Sequence, residues 1–363
     1  MATFDVLVRR LDEVFPHPNA DRLELAAVAG YRCVVLKGQF QAGDLIAYLP
    51  EAAVLPDALI AELGLTGKLA GTHANRIHPV SLRGALSQGV VMAARSTWRE
   101  GQSVMAELGI TKYAPEIPAE LLGSAYVLEE HERLDFDIEN IKAYPHLFQD
   151  GEPVVFTEKV HGVFMAVGAV PADLARPDSG HRAGRSFVSS KGLLANRMAF
   201  KLDSENASNP YVAAAERLGL HEVVVDLSNR WETPVLVLGE LFGTGIQDLG
   251  YGQPGGAPSF RVFAIVKRDE NNQPVYLSDK ELSALADHFA LQRTPVLYRG
   301  GFSMEAVELY TSGHETVSGQ EAHLREGLVI TPAQERTVPE IGRLALKSVS
   351  AAYLLRKGGT EYA

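Results

Sequence analysis

The sequence predicts an α+β protein of two domains, a β-rich one followed by a larger one that mixes strands and helices. Three observations carry that expectation. At 363 residues the chain is too long for one ordinary core. In its first third, short strand-like runs recur at close spacing between turn residues. From Val154 onward, strands and helices follow one another without regular βαβ alternation. The expected boundaries are residues 1–115, a connector over 116–150, and a second domain over 151–363.

In the first domain the strands are Leu23–Val28, Cys33–Leu36, Leu45–Leu49 and Val90–Ala94, broken by Gly30, Gly38, Gly43 and Pro50. That pattern suits a small barrel or sandwich. Pro115, Pro118 and Pro145 punctuate the connector, within which Leu134–Ile141 reads as a short helix. In the second domain, Asn209-Pro210 caps a helix that Gly219 ends. Ser278-Asp279-Lys280-Glu281 is a capping box opening a helix through Phe289, and Ser303–Tyr310 is a third helix. Val223–Val225, Val235–Leu238, Phe260–Val266, Gly327–Ile330 and Leu344–Val349 read as strands.

Composition is that of a globular enzyme, 46% hydrophobic and 22% charged, without low-complexity tracts. Cys33 is the only cysteine, which excludes an intrachain disulfide and cysteine-based zinc clusters. The first residues carry no basic and apolar leader, and no apolar run approaches the ~20 residues of a membrane span. The expected location is the cytoplasm, with no membrane partner. A net charge of −11 argues against a protein that coats nucleic acid non-specifically. It leaves room for a local basic groove, since Arg76–Arg83, Arg182–Lys191 and Arg343–Lys357 gather positive charge.

The most informative stretch is Val154 to Gly168, two apolar β-runs meeting at the polar elbow Glu158-Lys159-Val160-His161-Gly162. A lysine at the edge of a β-core is costly to desolvate and can become a nucleophile when its pKa falls. Gly162 would admit the close approach of a ligand or another backbone. Lys-x-x-Gly alone proves little, because Lys68-Leu69-Ala70-Gly71 repeats it in a loop-like stretch with no strand before it. An ordered series of polar residues at strand edges follows only the later copy: Arg185 to Gly192, Gly239-Glu240, Phe260 to Ile265, Arg325-Glu326-Gly327, and Leu346-Lys347-Ser348.

In that order the second domain resembles the covalent nucleotidyltransferase superfamily of ligases and capping enzymes, and Glu158-Lys159-Val160-His161-Gly162 looks most like its RNA ligases. Two phrases of the first domain, Phe15 to Glu24 and Ser81 to Gly89, resemble the tRNA-binding OB-fold module of some tRNA synthetases. An OB-like barrel placed before the catalytic domain is similar to the Deinococcus-type ATP-dependent RNA ligases. The resemblance implies an adenylyltransferase domain built on antiparallel sheets with flanking helices. It implies ATP as AMP donor with Mg²⁺ or Mn²⁺, and RNA carrying 3′-OH and 5′-phosphate ends, in a nicked duplex, as acceptor.

Carried over residue by residue, Lys159 is the nucleophile forming lysyl-AMP and His161 assists the steps on RNA ends. Glu158 reads adenine, Arg185 or Lys191 holds the ribose or phosphate, and Glu240 binds the ribose hydroxyls. Phe263 stacks on adenine, Glu326 organises metal water, and Lys347 sits on the α-phosphate. An attacking lysine must be neutral, so cationic neighbours and partial burial are expected around Lys159. In the first domain Arg76, His78 and Arg83 are phosphate-contact candidates. The sequence departs from the pattern at two places: Lys347 lacks a second lysine at Ala345 or Val349, and Val163-Phe164 replace a polar pair after the glycine. A DNA ligase or guanylyltransferase of the same superfamily, or an RNA-binding protein with an inactive domain, fits the same motifs.

Overall fold

The computed structural model describes residues 4–114, 123–174, 186–252 and 255–356. The chain folds as two compact units, one of residues 4–114 with 140–145 and 351–356, the other of 123–139, 146–174, 186–252 and 255–350.

In the first unit, Leu7–Arg10, Leu45–Leu49 and Val90–Ala93 form one antiparallel sheet, and Glu13–Pro16, Leu23–Val28 and Tyr31–Leu36 form another. Val28 and Tyr31 pair across the two-residue turn Ala29-Gly30, whose φ values of 49° and 76° are those of the hairpin turn that matches strand twist. Ala26, Val28, Cys33 and Val35 of one sheet share a core with Ile46, Tyr48 and Val91 of the other. Ala47 and Leu49 point the opposite way, into a second cluster with Leu55, Leu59 and Ile60, whose helix spans Asp57–Glu62. Burial on both faces explains why Leu45–Leu49 is a continuous apolar run rather than an alternating one.

The second unit is built on two large antiparallel sheets. The larger runs in the order Ala125–Val127, Met198–Phe200, Ser186–Ser190, Val163–Ala169, Val235–Phe242, Ser259–Arg268, Pro274–Tyr276. Its strands alternate between two cores, as side chains on successive strand positions must. Met165, Val167, Val235 and Val237 meet the helices Pro210–Arg217, Leu220–Trp231 and Asp279–His288. Ala166, Leu236 and Leu238 face Leu128, Leu134 and Leu194. The other sheet places Leu346–Val349, Gly327–Pro332, Pro153–Lys159 and Val296–Gly301 side by side. Lys159 therefore ends a strand of one sheet, and Val160-His161-Gly162 carries the chain into the other.

Two elements differ from the sequence expectation. Val223–Val225 lies inside the helix Leu220–Trp231, where Leu220, Val223, Val224 and Leu227 fall on one buried face. Burial at a period of 3.6 overrides the β-propensity of three adjacent valines. Residues 134–138 form no helix, and Glu139–Asn140 is a short strand. Leu134 and Phe136 alternate into the core, a period of two that the neighbouring acidic residues obscured. The strand Val296–Gly301 was not anticipated.

Candidate active site

Lys159 pairs with Gly327, and Gly327 in turn pairs with Val349. A Cβ on Gly327 would lie 2.0 Å from the Ser348 carbonyl oxygen, so only glycine lets the Leu346–Val349 strand come this close. Gly162 is confined in the same way: a Cβ there would lie 2.3 Å from the Leu241 oxygen and 2.9 Å from Cγ of Glu240. Beneath the elbow, Val160 packs with Phe242, Tyr251 and Val317.

The Lys159 ammonium reaches Oε1 of Glu326 at 2.6 Å, with its side chain still 28% exposed. Burial, the largest influence, pulls the lysine pKa down, but the charges of Glu326 and Glu240 and the Glu326 hydrogen bond outweigh it and the net shift is upward. This corrects the expectation of a neutral lysine among cations: before nucleotide arrives, its nearest charges are carboxylates and it holds its proton. Lys347 behaves the other way. Burial first, then repulsion from Lys159 and Lys191, lowers its pKa. Glu240 is pushed up to about 8, chiefly by burial, with Lys159 opposing and Glu326 assisting.

Glu158 is buried, and its Oε2 accepts from the Thr316 N–H at 2.8 Å and the Thr316 hydroxyl at 2.6 Å. The Arg325 guanidinium stands 3.7 Å away. Burial still leaves the Glu158 pKa raised despite these partners. Its Oε1 is buried with no hydrogen-bond partner among the described residues. The loop that delivers Thr316 is built by buried Glu315, which accepts from the Ser318 N–H at 2.8 Å and the Ala322 N–H at 2.9 Å. On the other side of the lysine, His161 Nε2 lies 2.8 Å from Asp248 Oδ1, and its Nδ1 faces Glu326 Oε2 at 4.0 Å. The Tyr251 hydroxyl accepts the His161 N–H at 2.6 Å, and the Gln247 carboxamide donates to the Gly162 oxygen.

Residues 152–349, more than half of the chain, match the family model described as RNA ligase. The chain belongs to the RNA ligase family. An OB-fold domain model matches residues 5–94. Among solved structures, the fold is similar to a lysine-to-alanine mutant of the Naegleria gruberi RNA ligase with ATP and Mn. The TM-score is 0.71 at 22% identity, over 97% of this chain and 98% of that one. The Naegleria gruberi RNA ligase with PPi gives 0.70 at 24% identity, over 96% and 97%. At these identities the likeness is one of fold. No curated protein matches the chain.

Within this RNA ligase unit, Lys159, His161, Glu240 and Glu326 are gathered, and Lys191 and Lys347 are close enough to shift their neighbours' pKa values. Lys191 opens the helix Lys191–Ala195 and reaches Asp137 at 3.3 Å. Phe263 lies partly buried, stacked on Phe136 with ring centroids 5.6 Å apart. Arg185 falls outside the described residues. Ala345, where a second lysine was sought, is buried at 3% exposure. Sequence reasoning passed over Thr316, Asp248 and Tyr251. For Thr316 no local signal exists, since it meets Glu158 across 158 positions. Asp248 and Tyr251 did leave one, polar and aromatic residues crowded into a turn-rich stretch just after Glu240.

In the OB-fold unit, the two phrases that suggested that module meet in space. His17 Nε2 lies 3.0 Å from the Leu82 oxygen, and the Asn19 amide donates to the Arg83 oxygen at 3.0 Å. Arg83 is exposed at the tip of the hairpin Val80–Leu82/Ala85–Ser87 with φ 51°. Arg76 instead lays its guanidinium over the Tyr113 ring at 4.2 Å. Burial and Arg76 lower the pKa of His78.

Proposed function

We propose that the protein is a cytoplasmic, ATP-dependent RNA ligase that seals 3′-OH and 5′-phosphate ends through a lysyl-AMP intermediate, at nicks with RNA on the 3′-OH side. The observation that carries this reading is Lys159, placed by strand register with its ammonium on Glu326 and beside Glu240 in the part of the chain that matches the family. Lys159 attacks the α-phosphorus of ATP, the bond to pyrophosphate breaks, and Lys347 steadies the charge that develops on the phosphate. AMP then passes to the RNA 5′-phosphate, and the 3′-OH displaces it to close the phosphodiester.

Oε1 of Glu158 is the acceptor left over for the exocyclic amine of adenine, because Thr316 occupies the other oxygen. Glu240 receives the ribose hydroxyls, Phe263 stacks on the base, and Arg185 or Lys191 holds ribose or phosphate. The donor set suits a hydrated Mg²⁺ or Mn²⁺ bound mostly through water and phosphates. Glu326 Oε2 is buried without a hydrogen-bond partner among the described residues, and these contain no group of three or more His, Cys, Asp or Glu placed to hold a metal ion by themselves. Such an ion neutralises the triphosphate. A Glu326 turned toward that ion's water would no longer hold the Lys159 proton, and the free amine would be nucleophilic. Arg76, His78 and Arg83 contact RNA phosphates.

Intact mass of the purified protein tests the reading, taken before and after pyrophosphate and again after ATP with Mg²⁺. A gain of one AMP, reversed by pyrophosphate and absent from Lys159→Ala, is expected. No adduct with ATP, dATP or GTP would overturn it. Nicks of RNA and DNA as acceptors then separate an RNA ligase from a DNA ligase or a guanylyltransferase.

A further inference from the structure

The segment after the strand Val235–Phe242 makes three polar contacts on two consecutive residues of the elbow. Gln247 donates to the Gly162 oxygen, Asp248 meets the His161 ring, and Tyr251 accepts the His161 N–H. Tyr251 is 2% exposed, packs edge-on against Phe242, and adopts φ 49°, a conformation rare for an aromatic residue. Backbone held in such a region persists where the surroundings over-determine it. Packing alone would be served by the apolar members of this segment, whereas Gln247, Asp248 and Tyr251 are directed at the turn that follows Lys159.

A carboxylate can only accept, so the proton between Asp248 and His161 resides on Nε2. The other ring nitrogen, Nδ1, faces Glu326 Oε2 at 4.0 Å. We propose that Asp248 is a positioning residue, which by its contact with His161 fixes the ring plane beside Glu326 and keeps the elbow in the geometry Lys159 needs. The proposal rests on the reading of Lys159 as the nucleophile. A carboxylate that orients an imidazole fixes both its tautomer and its ring plane, so losing it disturbs a site it does not touch.

The test uses full-length protein labelled with ¹⁵N-histidine, with His161→Ala assigning the signal. Wild type is expected to show a proton held on His161 Nε2, and Asp248→Ala to lose that pattern. Adenylylation by intact mass, or sealing, should fall on the order of 10- to 100-fold. On a His161→Ala background the same change should cost less than about twofold, because coupled residues are non-additive. Asp248→Asn keeps an acceptor oxygen in place and should recover part of the rate; it carries the test if Asp248→Ala does not fold. An unchanged His161 pattern in Asp248→Ala, or a double variant losing the product of the two single effects, overturns the proposal. If wild type takes no AMP at all, the ligase reading fails, while the tautomer comparison still decides this one.

Discussion

Two stretches of this chain share the spacing Lys-x-x-Gly, and the structure treats them differently. Lys68 is exposed in a turn, and its ammonium donates to the Gly64 carbonyl at 2.8 Å. Lys159 ends a central strand, is paired to Gly327, and reaches Glu326 at 2.6 Å. The glycines differ too. Gly71 has φ 86° and would offer a Cβ nothing nearer than 3.7 Å, whereas Gly162 is hemmed in by backbone from the neighbouring strand. Spacing is therefore not what makes the site. The register that sets a lysine between two carboxylates is.

The largest contrast should come from the lysines. Lys159→Ala should abolish the AMP adduct by intact mass, while Lys68→Ala should leave it at the wild-type level; equal effects would erase the distinction. Next come the glycines. Gly162→Ala should cost about 1–3 kcal/mol in urea unfolding by overpacking. Gly71→Ala should cost about 1 kcal/mol, the strain of a side chain at positive φ. Thr316→Val sharpens the electrostatic side. It strips the hydroxyl donor from a buried carboxylate while the backbone N–H stays, at about 1–3 kcal/mol. It should also narrow the preference for ATP over GTP in adenylylation, and an unchanged preference would remove Glu158 from base recognition.

A separate effect, read on pH, concerns Glu240. Its pKa in the folded protein, about 8, lies above the ordinary 4.5. The folded protein thus keeps a proton that the unfolded chain has lost. Stability from this group is full below 4.5 and declines as pH rises toward 8, levelling beyond it. Glu240→Gln should flatten the fall in melting temperature over that window.

Much of the fold was legible because its signals are local. Asn209-Pro210 and Ser278 with Glu281 specify helix starts through hydrogen bonds closed within three residues, and both helices form where expected. The valines of Leu220–Trp231 misled because propensity is weaker than the choice of which face to bury. In the site, Lys159, Glu240, Glu326 and Lys347 stood out as charges at the ends of apolar strands. Thr316 did not, since a threonine in a loop is ordinary until Glu158 is seen to depend on it.

By itself, the sequence determined the strands that carry charge at their ends, the glycines beside them, and the order in which they come. Each is a property of a few neighbouring residues. Only the tertiary structure decided which charges face one another. That depends on strand pairing across more than a hundred positions, and a shift of one residue would turn Lys159 to the opposite face. The same pairing puts Glu326 and Glu240 where their charges outweigh burial of the lysine, so its protonation in the ligand-free protein is a consequence of the fold.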